Sequence, residues 1–177
     1  MPSRHTPSIL DAIGHTPLVR LQRVAAGLPV PVLVKCEHMN PGGSVKDRIA
    51  LAIVDDAERR GALAPGATLV EATAGNTGMG LAIVAAVRGY RLVCVLPEKM
   101  SQDKRDALAL LGAEVIVTKN APPSDPDNFQ NVARRLAKEH FLSYIRLREW
   151  IDIHDQLASI LKEIGLTPNS SRASDDA

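Results

Sequence analysis

Apolar residues fall along this chain in short blocks, separated by stretches where they return every three or four positions. The blocks read as strands and the spaced stretches as helices. Residues 31–36 (PVLVKC) form the first clear strand pattern. Ser44 then opens a helix, with Asp47 three residues on as a variant capping box. Val45, Ile49, Ala52, Ile53 and Ala57 share one face of that helix, and Gly61 ends it. Residues 67–71 (ATLVE) give the next strand and 77–88 a Gly- and Ala-rich buried helix. RLVCVLP (91–97) is a third strand, 101–111 a helix closed by Gly112, and EVIVT (114–118) a fourth strand. A Pro/Asn/Asp-rich loop at 120–128 precedes a helix over about 128–139. The strand patterns are continuous rather than alternating, which marks strands buried on both faces. The expected fold is therefore α/β: an open, parallel, twisted sheet with flanking helices.

The pattern changes near residue 140. From Phe141, apolar residues recur at Tyr144, Ile145, Leu147, Trp150, Ile151, Leu157, Ile160, Leu161 and Ile164. That spacing predicts an amphipathic helix to about residue 165. The final polar stretch, TPNSSRASDDA, reads as disordered. The expected organisation is thus one region over 1–139 and a divergent tail over 140–177.

Composition narrows the function classes. The formal net charge is +1, and no Lys/Arg run is interleaved with aromatics, which make up only 3% of the chain. Nucleic acid is not an expected partner. No run approaches the ~20 apolar residues needed to span a bilayer, and MPSRHTPSIL lacks the apolar core of a signal peptide. A cytoplasmic setting is expected. Cys36 and Cys94 lie in apolar runs and read as buried free thiols on strands. No metal is expected, because neither has a second ligand pair at metal spacing. His15, His140 and His154 are scattered, and Asp55, Asp56 and Glu58 read as a solvated helix face. Trp150 and the tail's apolar stripe read as packing.

Two segments carry chemistry. In Asn40-Pro41-Gly42-Gly43-Ser44-Val45-Lys46-Asp47-Arg48, a tight turn feeds a helix whose first turn holds a lysine. The helix dipole disfavours a cation there and so favours the neutral, nucleophilic amine. A merely solvated lysine fits the same residues. In Glu71-Ala72-Thr73-Ala74-Gly75-Asn76-Thr77-Gly78, a loop leaves a strand and opens a helix. Backbone N–H groups at such a position suit a carboxylate or phosphate. A plain strand-to-helix turn is the alternative. Neither segment matches a P-loop or a GxGxxG nucleotide loop.

Together, PGGSVKDR and T-x-GNTG resemble the fold-type II pyridoxal-phosphate (PLP) enzymes, specifically the cysteine synthase and cystathionine β-synthase family. IGHTPLVRL (13–21), residues 50–72, residues 81–101, LGAEVIVT (111–118) and NFQNVARRLAKE (128–139) extend the likeness over about residues 8–139. The resemblance implies that Lys46 carries PLP as a Schiff base and moves the substrate α-proton. It implies that Asn76 bonds the 3′-oxygen of the pyridoxal ring. It also implies that Thr73, Ala74, Gly75, Asn76 and Thr77 clasp the substrate α-carboxylate. The implied reaction is β-elimination and β-replacement on serine or O-acetylserine, with a thiol or sulfide as nucleophile. A homodimer is implied for the full-length family, and a serine/threonine dehydratase is a related alternative. Where the family commonly has Ser, this loop has Ala74. The family's Gln-Phe-x-Asn-Pro segment, phosphate loop and pyridine-nitrogen partner are expected after His140 and do not occur. A chain impaired in catalysis is one expectation. A non-catalytic remnant that docks on a full-length relative is the other.

Overall fold

The computed structural model describes residues 6–73 and 75–139, together with the backbone of 143–144. Two sheets are present among them. Strands β1 (Leu18–Arg20) and β2 (Leu33–Lys35) pair antiparallel, with Val19 opposite Val34. All six of their residues are exposed. The larger sheet holds β3 (Thr68–Ala72), β4 (Arg91–Pro97), β5 (Glu114–Thr118) and β6 (Ser143–Tyr144) in the order β5-β4-β3-β6. Every pairing in it is parallel. The helices are α1 (Lys46–Arg59), α2 (Asn76–Arg88), α3 (Gln102–Leu110) and α4 (Phe129–Glu139).

Parallel strands need crossover helices, and those helices cover the sheet. On one face Val70, Val93 and Val95 pack with Ala133 and Ala137 of α4. On the other, Leu69, Cys94 and Leu96 are fully or almost fully buried, as are Leu81, Val84 and Ala85 of α2. That two-sided burial is what the continuous apolar runs predict. Helix ends follow their expected signals. At the end of α1 the Gly61 N–H donates to Glu58 O (2.9 Å) and the Ala62 N–H to Ala57 O (2.9 Å). This crossed pair needs a left-handed residue, and Gly61 supplies it at φ 67°. At α4, Asn128 Oδ1 accepts the Gln130 N–H (3.0 Å) as the starting cap.

Four expectations change. First, α1 buries Asp47, Ala50, Ile53 and Val54, while Val45 and Ala52 are exposed. The buried face is rotated because its partner is backbone: a Cβ on Gly80 of α2 would stand 3.0 Å from the Ala50 Cβ, 3.0 Å from Lys46 O and 3.1 Å from the Asp47 Cα. Close approach selects small residues there, not the largest apolar ones. Second, Ser44 and Asp47 do not form a capping box. Ser44 Oγ accepts the Lys46 N–H (3.1 Å), whereas the Asp47 carboxylate accepts the Gly42 N–H.

Third, Cys36 lies just beyond β2 and is only half-buried, while Cys94 is buried on β4 and both are free thiols. The sheet that would bury Cys36 is open on both sides. Fourth, 143–144 is extended rather than helical, with Leu69 opposite Ser143 and Val70 opposite Tyr144. The free edge of a buried strand leaves N–H and C=O groups that must pair, and this outweighs a helical apolar pattern. The rest of the expected tail helix lies outside the described residues. Among the described residues, no helix is long and apolar enough to cross a membrane.

Candidate functional site

The strand order places the site. The chain runs from β3 outward to β4 and β5, then returns to put β6 on the other side of β3. Ligands in open α/β sheets collect beyond the carboxyl ends of strands where the order reverses. Here that position is the carboxyl end of β3, from which residues 73–77 lead into α2.

Thr73 is buried, and its hydroxyl is occupied. Thr73 Oγ1 accepts the Gly75 N–H (3.2 Å) and the Gly78 N–H (3.3 Å). It therefore caps α2 and shapes the loop. The side chain also needs Gly78, because a Cβ there would lie 2.6 Å from the Thr73 Cγ2. The Gly75 and Gly78 N–H groups are thus spent internally, and among the described residues those of Asn76 and Thr77 remain as first-turn donors. Gly75 is half-buried, Asn76 exposed and Thr77 buried. Ala74 lies outside the described residues.

Lys46 is the first residue of α1 and is half-buried. Its carbonyl oxygen is the one that packs against Gly80, one turn into α2. The first turns of α1 and α2 therefore meet, and Lys46 and the 75–77 loop lie at the same end of the helix pair.

Two residues on from Lys46, Arg48 anchors a polar network that residue patterns did not reveal. Arg48 grips Glu37 with two bonds, Nε to Oε2 at 2.8 Å and Nη2 to Oε1 at 2.9 Å. Arg48 Nη2 also donates to Gly14 O (2.7 Å). Thr16 Oγ1 donates to Glu37 Oε1 (2.9 Å). Asn40 Oδ1 accepts the Gly14 N–H (2.8 Å), and Asn40 Nδ2 donates to Glu37 O (2.9 Å) and Ser44 O (3.0 Å). Residues 14–16, 37–40 and 44–48 are tied together in this way. The Arg48 guanidinium holds the Glu37 carboxyl down at about 2. The one available signal was Arg48 itself, placed two residues after the lysine.

Glu71 was also missed. It is 5% exposed at the end of β3, directly opposite Cys94 in register. Burial pushes its carboxyl up to about 8 and the Cys94 thiol up to about 12. Farther out, the expected solvated face of α1 is ion-paired: Arg88 of α2 bridges Asp55 and Glu58, and Asp56 pairs with Arg59 and Arg60. His15 is exposed.

Known proteins resemble this chain over most of its length. Rat cystathionine β-synthase is 54% identical over 136 residues, which is 75% of this chain and 24% of that protein. Cysteine synthase 1 of Emericella nidulans is 52% identical over 130 residues, 73% of this chain and 35% of that protein. The crystal structure of O-ureido-L-serine synthase superposes with a TM-score of 0.72 at 45% identity, covering 79% of this chain and 43% of that one. A hydrogen sulfide-producing enzyme from Fusobacterium nucleatum matches with a TM-score of 0.72 at 35% identity, covering 81% of this chain and 46% of that one. The chain thus spans about a quarter to a third of these curated relatives and under half of the matching structures. Residues 9–161 match the family described as pyridoxal-phosphate dependent enzyme, and this chain belongs to that family.

Proposed function

We propose that residues 41–48 and 73–77 form the lysine and carboxylate side of a PLP site for β-replacement. The substrates would be serine or O-acetylserine with a thiol or sulfide, as in cysteine synthase or cystathionine β-synthase. One observation supports this above the rest: the first turns of α1 and α2 touch through Gly80, with Lys46 and Asn76 at that end.

Bound PLP supplies an electron sink for the substrate α-carbon. Lys46 would hold it through the side-chain amine and then move the α-proton. Asn76, exposed at the first position of α2, would bond the ring 3′-oxygen. The N–H groups of Asn76 and Thr77 would take the substrate carboxylate, aided by the α2 dipole. Thr73 would keep this loop in shape rather than touch substrate, since its hydroxyl already caps α2. Ala74 offers backbone only. The chain fits the cofactor on these grounds: a half-buried lysine at a helix start, beside a loop with unspent donors.

Incubation with PLP, borohydride reduction and peptide mapping test the assignment. The label should sit on Lys46 and vanish in Lys46→Ala. A label on another lysine with Lys46 free rules the assignment out. The expected phosphate loop and pyridine-nitrogen partner are not among these 177 residues. We therefore expect the chain alone to turn over O-acetylserine plus sulfide, or serine plus homocysteine, far more slowly than a full-length relative.

The exposed apolar residues of β1 and β2 favour a second reading, in which the chain docks on a full-length relative. Co-elution on size exclusion, lost when Leu18 and Leu33 become Ser, would distinguish it. Homodimerisation and a cytoplasmic setting belong to the proposal as well.

A further inference from the structure

Among the described residues, the most deeply buried charged side chain is not in the loop or the Arg48 network. Asp47 is 0% exposed, next in sequence to Lys46. Its Oδ2 accepts the Gly42 N–H, and its Oδ1 has no hydrogen-bond partner among the described residues. Burying a carboxyl this way is costly, so a plain helix-start residue would have been the cheaper choice. The surroundings are built for it. A Cβ on Gly42 would lie 2.5 Å from Oδ1 and 2.9 Å from Oδ2, so only glycine leaves room for the carboxyl under the turn. Across the interface, a Cβ on Gly80 would lie only 3.1 Å from the Asp47 Cα, so glycine is what lets α2 pack so closely there.

We propose that Asp47 is a positioning residue: its buried carboxyl latches the 41–43 turn onto the first turn of α1 and thereby fixes the direction in which Lys46 presents its amine. The reason lies in helix geometry. Successive side chains are turned by about 100° around the axis. Once Asp47 is locked inward on Gly42, the azimuth of Lys46 is set, and Gly80 against Lys46 O sets its depth. Burial pushes the Asp47 carboxyl up from its ordinary value, with the Gly42 N–H acting against that shift. The latch needs only an oxygen that accepts the Gly42 N–H. An amide of the same shape supplies one and should therefore replace the carboxyl. This inference rests on Lys46 being the cofactor-bearing lysine.

Two readouts on the 177-residue chain test it: amide exchange at Gly42, and the fraction of Lys46 labelled by PLP and borohydride relative to the other lysines. Asp47→Asn should keep both within about twofold. Asp47→Ala should speed Gly42 exchange at least tenfold and cut Lys46 labelling severalfold, at a temperature where circular dichroism shows it folded. Gly42→Ala attacks the same latch from the other side and should lower Lys46 labelling likewise, so the test survives if Asp47→Ala does not fold. Unchanged Lys46 labelling in Gly42→Ala and Asp47→Ala overturns the proposal. So does Gly42 exchange that is as fast in the wild type as in Asp47→Ala. A wrong cofactor lysine looks different: no Lys46 label in the wild type, while Gly42 exchange still responds to Asp47.

Discussion

The two sheets of this chain hold together by opposite means, and two carboxylates show it. In the parallel sheet, Glu71 sits among apolar neighbours and burial raises its carboxyl to about 8. Beside the antiparallel pair, Glu37 is gripped by Arg48 and held at about 2. The parallel sheet derives its order from apolar surface removed from water on both faces. The β1–β2 pair buries none of its own residues, with Leu18 57% and Leu33 51% exposed. Its placement comes from directed bonds among Gly14, Thr16, Glu37, Asn40 and Arg48. The candidate site lies where the two regimes meet: Lys46 starts from the bonded network and packs against the apolar one. Order in the first region is set by shape, and in the second by a few charged groups.

The sharpest way to break this contrast is to cut the same side chain from each sheet. Leu69 in β3 is fully buried, so Leu69→Ala should cost about 3–5 kcal/mol by denaturant unfolding. Leu33→Ala in β2 should stay within about 0.5 kcal/mol. Similar losses at both would mean that the exposed pair is packed against something in solution.

The Glu71 carboxyl should produce the next largest effect. Its folded value is raised above the ordinary 4.5. Its contribution to stability is therefore full below pH 4.5 and is lost as pH rises through 8. At about 1.4 kcal/mol per unit, the loss by pH 8–9 is on the order of 5 kcal/mol. Glu71→Gln should flatten stability across that window and leave the mutant the steadier protein at pH 8. A wild-type curve already flat from pH 5 to 8 would contradict the buried, neutral carboxyl.

Glu37 should behave in the reverse sense. Its folded value is lowered, so its contribution is present above pH 4.5 and fades as pH falls towards 2. Glu37→Gln should remove that acid limb and loosen residues 14–20 in amide exchange, while residues 68–97 keep their protection. Loss of protection in both regions would show that the network supports the whole domain. The smallest effect is expected of salt. The Asp56, Arg59 and Arg60 group lies at the surface with both arginines exposed, and 1 M NaCl should change stability by less than about 1 kcal/mol.

Much of the parallel sheet was readable from residue order, because both its signals are local. RLVCVLP and EVIVT match β4 and β5 residue for residue, and Gly61 and Gly112 stop helices where expected. The misreadings have a common cause in distance along the chain. The buried face of α1 was misjudged because its partner, Gly80, presents no side chain to pattern against. The Glu37–Arg48–Gly14 bonds join residues 11 to 34 apart, which no short-range period reports. Residues 143–144 took the edge of β3, a vacancy visible only once the sheet exists. In the site, the lysine and the loop were legible as a motif. That the Thr73 hydroxyl turns inward to cap α2 was not, since a threonine at a helix start serves a cap and a ligand equally well.

The glycines at the site have a further consequence for how its wording drifts over generations. Gly42, Gly78 and Gly80 are demanded by volume, each with an atom about 3 Å or less from where a Cβ would be. Replacing any of them forces a neighbour to shift, whether or not the chain still performs chemistry. Lys46 and Asn76 are under no such demand: one is half-buried, the other exposed, and neither is needed to close the helix pair. In gene copies released from catalytic duty, the glycine skeleton of PGGS and GNTGMG should outlast the lysine and the asparagine. On the proposed assignment, those two positions, rather than the motif as a whole, are therefore the ones whose identity tracks use of the site.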